Sequence, residues 1–346
     1  MSLKVVQTTD LVGVSDYLTQ AFQGTEVDYR KRLRITEDET LAAAHDADVL
    51  ILVPAYQEPI SRRVIEGLTK CRYILDLISG YDNIDIAAAT ENGILVTNMP
   101  DLFYEEVADH TMALLLACSR KIVELNRLVK SGEWAADIMG SKIGREIYPK
   151  MVRLQGQTLG LIGFGRIARS VAAKAKGFQM RLIAYDPYVT KSIFDKSGVE
   201  RVELEQLLRE SDFVSVLTLL SDETRGMLGL EEFRKMKPTA YVINTARGPI
   251  INQDALYTAL TQGLIAGAGL DVTEPEPSTA ENNPLVSLDN VIMTPHSAGQ
   301  DIVAFANLAK LAVEQVLRFA EGDWPQTLVN TDVKQKYIEK WGKPGR

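Results

Sequence analysis

The chain has only two cysteines, Cys71 and Cys118, in 346 residues, and no CxxC pair or Cys/His cluster. That leaves no disulfide scaffold and no metal ligand set, and two thiols in apolar surroundings fit a reducing compartment. Histidine is almost as scarce, at His45, His110 and His296. Basic charge is short too: 38 Lys and Arg against 46 Asp and Glu leave a net charge of −8, with pI near 5.2. Nucleic acid and anionic membrane are therefore not the expected partners. No stretch reaches 18 apolar residues and none reads as a signal peptide, so no membrane span and a cytoplasmic location are expected. A GxSxG elbow, which would arm a serine hydrolase, does not occur. Internal repeats, low-complexity segments and coiled-coil heptads are also missing, and the length suits about two domains.

What the chain does contain centres on Gln157 to Asp186, QTLGLIGFGRIARSVAAKAKGFQMRLIAYD. The apolar run Leu159 to Ile162 breaks at Gly163-Phe164-Gly165. A helical stretch follows from Arg166 to Lys176, and a second apolar run ends at Asp186. Strand, tight turn, helix and strand in this order suit a dinucleotide pyrophosphate. Gly163 permits the turn, Gly165 lets backbone approach phosphate, and Ala168 lets the helix pack close to its strand. Asp186 ends the second strand, where a carboxylate accepts from both ribose hydroxyls and repels a 2′-phosphate, which favours NAD over NADP.

Around this unit, short β-rich runs alternate with helical patterns. In the first hundred residues the runs are 4–7, 48–53, 73–77 and 94–97, with helices at 11–21, 61–68 and 84–92. Ser79-Gly80 and Pro54-Ala55-Tyr56 follow strands, on the edge where ligands of parallel sheets collect. Asn98 to Asp101 interrupts the pattern before a long helix expected from Glu105 to about Lys130. A second series with runs at 213–217, 240–244 and 264–270 ends with 290–293; one more helix spans about 302–319, and a polar tail from Thr331 is expected to be loosely ordered. The fold class is α/β with two doubly wound parallel-sheet domains. A Rossmann dinucleotide domain, residues 103–296, is inserted into a discontinuous outer domain made of 1–102 and 297–346. Connections near Pro100 and Pro295 would act as a hinge over a cleft.

Three strand ends carry chemistry-bearing side chains. Arg247 lies in the turn Asn244 to Pro249, where a guanidinium can take a carboxylate with two parallel hydrogen bonds. Asp271 ends the strand containing Gly267 and Gly269 and can accept from a carboxamide. Glu274 and Glu276 lie in the Pro-stiffened loop after it, and His296 follows the strand 290–293 through Thr-Pro. Reducing a ketone by hydride needs a proton donor near neutral pH, and an imidazole held by a carboxylate is one. Spacing alone does not separate Glu274 from Glu276. His45 and His110 fall in helical stretches that read as packing or solvated positions.

These segments together identify a resemblance. GFGRIA with YDP, MKPTAYVINTARGPIINQDAL, GAGLDVTEPEP, TPHSAG and GYDNIDIAAA make the chain similar to the NAD-dependent D-isomer-specific 2-hydroxyacid dehydrogenases, the family of phosphoglycerate, formate, glycerate and D-lactate dehydrogenases. The match runs from residue 4 to about 330. It implies a flavodoxin-like outer domain and NAD-dependent hydride transfer between nicotinamide and C2 of a small acid. Arg247 would bind the substrate carboxylate, Glu276 would hold the imidazole and His296 would exchange the proton. Arg166, Ile167, Thr245, Ala246, Asp271 and Ala298 are implied at the cofactor, with Asp271 at the nicotinamide carboxamide. The backbone of Ser79 and Gly80 is implied at the substrate carboxylate, with Tyr56 and Tyr104 as candidate pocket residues. No metal is implied, and a homodimer built around the dinucleotide domain is.

Departures from the family pattern bear on the substrate. Ile78-Ser79-Gly80 and Leu217-Thr218-Leu219-Leu220 differ from the common family sequences, and His296-Ser297-Ala298-Gly299 stands where many members read HIGG. Phosphoglycerate-type members carry arginines where this chain has Pro54-Ala55-Tyr56-Gln57 and Phe103-Tyr104-Glu105-Glu106. Lost cations and gained acids point to a small, non-phosphorylated 2-keto acid. Two alternatives use the same fold: an NAD(H)-sensing, corepressor-like binding protein and a phosphite-type dehydrogenase.

Overall fold

Short runs rich in Val, Ile and Leu separated by helices form parallel strands buried on both faces, and every residue of Val49–Leu52 and Tyr73–Asp76 is buried. A computed structural model describes residues 2–10, 13–52, 58–136 and 143–344. The chain divides into two compact units, Met1–Phe103 with Gln300–Arg346, and Tyr104–Gly299. Tyr56 and its neighbours in 53–57 lie outside the described residues.

The first unit holds five strands, β1 (Leu3–Gln7), β2 (Val27–Lys31), β3 (Val49–Leu52), β4 (Tyr73–Asp76) and β5 (Leu95–Thr97). All pairings are parallel, in the flavodoxin-like order β2-β1-β3-β4-β5. Both β2 and the helix Glu37–Ala44 escape the hydrophobic pattern. β2 is an edge strand whose Asp28, Tyr29 and Arg30 are only half-buried. The helix is mostly polar and Ala-rich, and it is marked instead by a capping box in which Thr36 accepts from the Glu39 amide and Glu39 accepts from the Thr36 amide.

The tail after Thr331 departs from expectation. It forms a helix, Val333–Trp341, with Val333 and Tyr337 fully buried. The Tyr337 ring packs 5.5 Å from Trp324 and 6.4 Å from Phe319, and Trp341 Nε1 donates to the Gly93 carbonyl at 2.9 Å. Three apolar residues four apart, on one face of a polar segment, are enough to dock it.

The second unit holds seven parallel strands: β6 (Thr158–Ile162), β7 (Arg181–Tyr185), β8 (Glu200–Arg201), β9 (Phe213–Val216), β10 (Tyr241–Asn244), β11 (Gly267–Leu270) and β12 (Val291–Met293). Their order is β12-β11-β10-β9-β6-β7-β8. The winding reverses where β6 pairs with β7 on one side and β9 on the other, which makes the carboxyl ends of β6 and β9 a topological switch point. Two doubly wound parallel sheets are thus present. Separate apolar clusters cover the two faces of the second sheet, one around Leu159, Leu161 and Val171 and one around Ile183, Val214 and Val242.

The long helix expected over 105–130 is two helices, Tyr104–Arg120 and Ile122–Ser131. Lys121 between them has φ 55°, in the left-handed region that ends an α-helix. Its Nζ donates to Tyr241 Oη at 2.9 Å and lies 4.9 Å from the centre of that ring. This contact holds the break in place, and no apolar period records it. The units part after Phe103 and Gly299, a little beyond the 102 and 296 read from the sequence. Ser297 and Ala298 stay with the second unit because Asp271 binds their amides at 2.9 Å each.

Candidate active site

The glycine turn after β6 is held from three sides. Gly163 has φ 88°, and its amide donates to the Tyr185 carbonyl at 2.8 Å. A Cβ there would lie 2.8 Å from the Leu217 carbonyl oxygen and the Thr218 nitrogen, so only glycine fits between the ends of β6 and β9. Phe164 is buried and stacked on Phe194 with centroids 4.5 Å apart. Its amide donates to Asp186 Oδ2 at 2.8 Å, while Asp186 Oδ1 accepts from the Tyr188 and Val189 amides. The carboxylate at the end of β7 is therefore fixed against the turn.

Gly165 precedes the helix Arg166–Lys176, whose start has no side-chain cap. A Cβ on Gly165 would meet no protein atom within 4 Å, so packing within the chain is not what its small size serves. An uncapped helix start beside an open glycine is a cradle that fits a pyrophosphate. Ala168 is fully buried against the sheet, Ile167 is half-buried and Arg166 is exposed. Glu105 on the helix Tyr104–Arg120 fastens this element by accepting from Ser170 Oγ at 2.8 Å and from Lys174 Nζ. Lys174 and Ser170 together hold the Glu105 carboxyl below the usual carboxylate range. Tyr104 opens that helix and is half-buried.

On the other side of the switch point, Arg247 follows β10. It is half-buried, and its Nη1 donates to the Ala246 carbonyl at 2.8 Å. Asn244 shapes the turn by donating to the Arg247 carbonyl and accepting from the half-buried Ala246's amide. The Thr245 hydroxyl is engaged inward, 2.8 Å from Thr111 Oγ1. Gly248 sits flat on the loop after β11: a Cβ there would come within 2.1 Å of the Thr273 backbone. The Thr273 amide in turn donates to Glu276 Oε1 at 3.0 Å. The arginine turn and the acidic loop are thus packed directly on one another.

His296 and Glu276 meet. His296 Nδ1 is 2.8 Å from Glu276 Oε2, with the side chains 37% and 26% exposed, so the pair is anchored yet open to a small molecule. His296 has φ 50°, and its amide donates to the Asp271 carbonyl at 2.8 Å. Asp271 is the hub of this turn. Its side chain is 1% exposed, with Oδ1 accepting from Thr294 Oγ1 at 2.5 Å and the Ser297 amide, and Oδ2 from the Ala298 amide. Oδ2 keeps a lone pair for a further donor, as a carboxamide contact requires. Glu274 is not on the histidine; its Oε1 lies 3.9 Å from Arg225 Nη1.

His110, read from the sequence as a packing or solvated position, has partners which that reading did not include. Its Nε2 is 2.9 Å from Thr294 Oγ1 and 3.5 Å from Asp271 Oδ1. A helix and a strand end 184 positions apart give no local signal of such a contact. In the first unit, Ser79 Oγ donates to the Met99 and Leu102 carbonyls, and Asn98 Nδ2 donates to the Ser79 carbonyl at 2.6 Å. These bonds fix the Ser79-Gly80 backbone.

The model of the NAD-binding domain of D-isomer-specific 2-hydroxyacid dehydrogenases matches residues 112–298. The chain belongs to this family. Among its relatives is a glyoxylate reductase of Korarchaeum cryptofilum, 43% identical over 283 residues that cover 82% of this chain and 83% of the relative. A glyoxylate reductase of Pyrococcus furiosus is 39% identical over 320 residues, covering 92% of this chain and 91% of the relative. A solved holo form of Rhodotorula graminis D-mandelate dehydrogenase superposes with a TM-score of 0.85 at 28% identity, covering 96% of this chain and 99% of the other. This D-2-hydroxyacid dehydrogenase is an NAD-dependent oxidoreductase that transfers hydride between nicotinamide and C2 of a small 2-keto or 2-hydroxy acid. Among its described residues no helix is long and apolar enough to cross a membrane, and no cluster of His, Cys, Asp or Glu suits a metal ion.

Proposed function

We propose that the enzyme reduces glyoxylate or a similarly small, non-phosphorylated 2-keto acid, with His296, Glu276 and Arg247 as its catalytic residues. The observation that carries this reading is the 2.8 Å contact between His296 Nδ1 and Glu276 Oε2. A carboxylate only accepts, so Nδ1 bears the proton in that bond and Nε2 is the atom that exchanges a proton with substrate. Bound NADH supplies the hydride. His296 protonates the carbonyl oxygen during reduction and removes that proton in the reverse direction, while Glu276 stabilises the imidazolium and fixes the ring. Arg247 takes the substrate carboxylate and polarises the neighbouring carbonyl.

Gly163, Gly165, Arg166, Ile167 and Ala168 form the pyrophosphate cradle, and Asp186 receives the adenosine ribose. Asp271, with Thr245, Ala246 and Ala298 around it, serves the nicotinamide side. The backbone amides of Ser79 and Gly80 serve the substrate carboxylate, and Tyr104 is the candidate pocket tyrosine among the described residues. On this reading 103–296 is the dinucleotide domain and also carries Arg247, Glu276 and His296, and 1–102 with 297–346 is the outer, substrate domain.

The names of the relatives favour glyoxylate, and an armed acid–base pair speaks for turnover rather than NAD(H) sensing. Ile122, Val123, Val129 and Trp134 are exposed apolar residues on consecutive helices, which supports assembly as a homodimer. Two buried free thiols support a cytoplasmic enzyme. The test follows NADH consumption with glyoxylate, hydroxypyruvate, 3-phosphohydroxypyruvate, pyruvate and branched 2-keto acids, and NADH formation from NAD with phosphite. Glyoxylate is expected to give the highest kcat/KM, and faster turnover of 3-phosphohydroxypyruvate or of phosphite would overturn the assignment.

A further inference from the structure

The buried Asp271 carboxylate is held by one hydroxyl and two backbone amides, with His110 Nε2 3.5 Å from its Oδ1. Its Oδ1 receives the Thr294 hydroxyl at 2.5 Å and the Ser297 amide at 2.9 Å, and its Oδ2 receives the Ala298 amide at 2.9 Å. Thr294 Oγ1 has one hydrogen. Since the carboxylate can only accept, that hydrogen points to Asp271, and the oxygen must accept from its other neighbour. The other neighbour is His110 Nε2, 2.9 Å away. His110 therefore carries its proton on Nε2, and a one-way chain runs from imidazole N–H to threonine O–H to carboxylate.

We propose that His110 is a positioning residue of the hydride-transfer site, acting through Thr294 to hold Asp271 in the orientation that receives the nicotinamide carboxamide. The chain links the helix Tyr104–Arg120 to the end of β12 and to the turn that carries His296. Without the imidazole, the Thr294 hydroxyl loses its fixed donor and is free to rotate off Oδ1. One of the two oxygens of a nearly inaccessible carboxylate then loses a short hydrogen bond, and the carboxylate turns to recover it. The turn is left in place by its backbone bond to Asp271, but the acceptor presented to the cofactor moves. The inference rests on Asp271 facing the nicotinamide, so its test separates the two claims.

The experiment measures NADH dissociation by fluorescence, and kcat with glyoxylate at saturating NADH, for His110→Ala, His110→Gln, Thr294→Val, the His110→Ala/Thr294→Val double variant and Asp271→Asn. Loss of one hydrogen bond to a charged group is expected to weaken NADH binding about tenfold in His110→Ala and in Thr294→Val. Glutamine places an amide N–H near the Nε2 position, so His110→Gln is expected within about twofold of wild type, a rescue that a purely space-filling role would not give. The double variant is expected to be no weaker than either single one, because both remove the same chain. Wild-type NADH affinity in His110→Ala, or losses that multiply in the double variant, would overturn the relay while leaving Asp271 in its role. Wild-type affinity in Asp271→Asn would instead sink the placement of Asp271 at the nicotinamide. Thr294→Val keeps the threonine shape and carries the test should His110→Ala fail to fold.

Discussion

Nδ1 of His296 lies 2.8 Å from Oε2 of Glu276, and Glu276 is itself tied by its other oxygen to the Thr273 amide at 3.0 Å. The acid is held by backbone before it holds the imidazole, so neither ring orientation nor tautomer depends on substrate. Replacing His296 with alanine is expected to lower kcat by about 10² to 10⁴-fold, the range of a lost general acid. Glu276→Gln keeps the shape and removes the charge, and is expected to cost less, about ten- to a hundredfold. Steady-state NADH oxidation checks both, and wild-type turnover by either variant would remove that residue from the mechanism.

Asp186 accepts three backbone amides beside the glycine turn. A 2′-phosphate brought to this carboxylate meets like charge, which costs several kcal/mol, so kcat/KM for NADPH is expected to be at least about 10²-fold below that for NADH. Asp186→Ala is expected to raise the KM for NADH and narrow the gap. Equal use of both cofactors by the wild type would contradict this.

Gly248 has no room for a side chain, with Thr273 backbone within 2.1 Å of the Cβ position. Gly248→Ala is expected to destabilise the second unit by about 1–3 kcal/mol, the usual cost of overpacking. It should also lower kcat more than a remote variant of equal stability does, because Thr273 holds Glu276. Thermal melts paired with kinetics distinguish the two effects, and an alanine variant with wild-type Tm and kcat would refute the packing argument.

Tyr337 is fully buried between Phe319 and Trp324. Tyr337→Ala is expected to cost about 3–5 kcal/mol in the first unit, as for other buried aromatics. Differential scanning calorimetry should show one transition moving down, and an unchanged thermogram would mean that the last helix contributes nothing to the fold.

Burial pushes the Cys71 and Cys118 thiols up to about 12. A folded pKa above the unfolded value means that the neutral thiol is favoured in the native state. Their contribution is whole below about pH 8.5 and is lost as pH rises from there through the folded value. Urea midpoints are expected to fall between about pH 9 and 11, and less steeply in a Cys71→Ala/Cys118→Ala variant. Disulfide-reagent labelling at pH 8 should be slow until denaturant is added; rapid labelling of the native protein would contradict the burial.

Much of this was legible because parallel sheets write their strands as short apolar runs and their binding edges as turns. The glycine turn, Asp186, Arg247, Asp271 and His296 all lie immediately after such runs. Between Glu274 and Glu276 the residues alone could not choose, since both sit in the same loop; the resemblance chose, and the 2.8 Å contact agrees with it. β2 was hidden because an edge strand keeps one side toward water. The break at Lys121 depends on Tyr241, and the docking of Tyr337 on two aromatics outside its own helix, Phe319 and Trp324. His110 looked ordinary for the same reason: its partners are set by tertiary folding, which no helical period encodes.

The two units keep their apolar interiors to themselves, with Val5, Leu75 and Phe319 in one and Leu161, Val171 and Ile243 in the other. Changes in separate cores act nearly independently on stability. Substitutions within the core of the first unit are therefore expected to leave the packing around Asp271, Glu276 and His296 nearly unchanged. Such a molecule is modular in the evolutionary sense: either half of the chain can drift in its interior without unfolding the other.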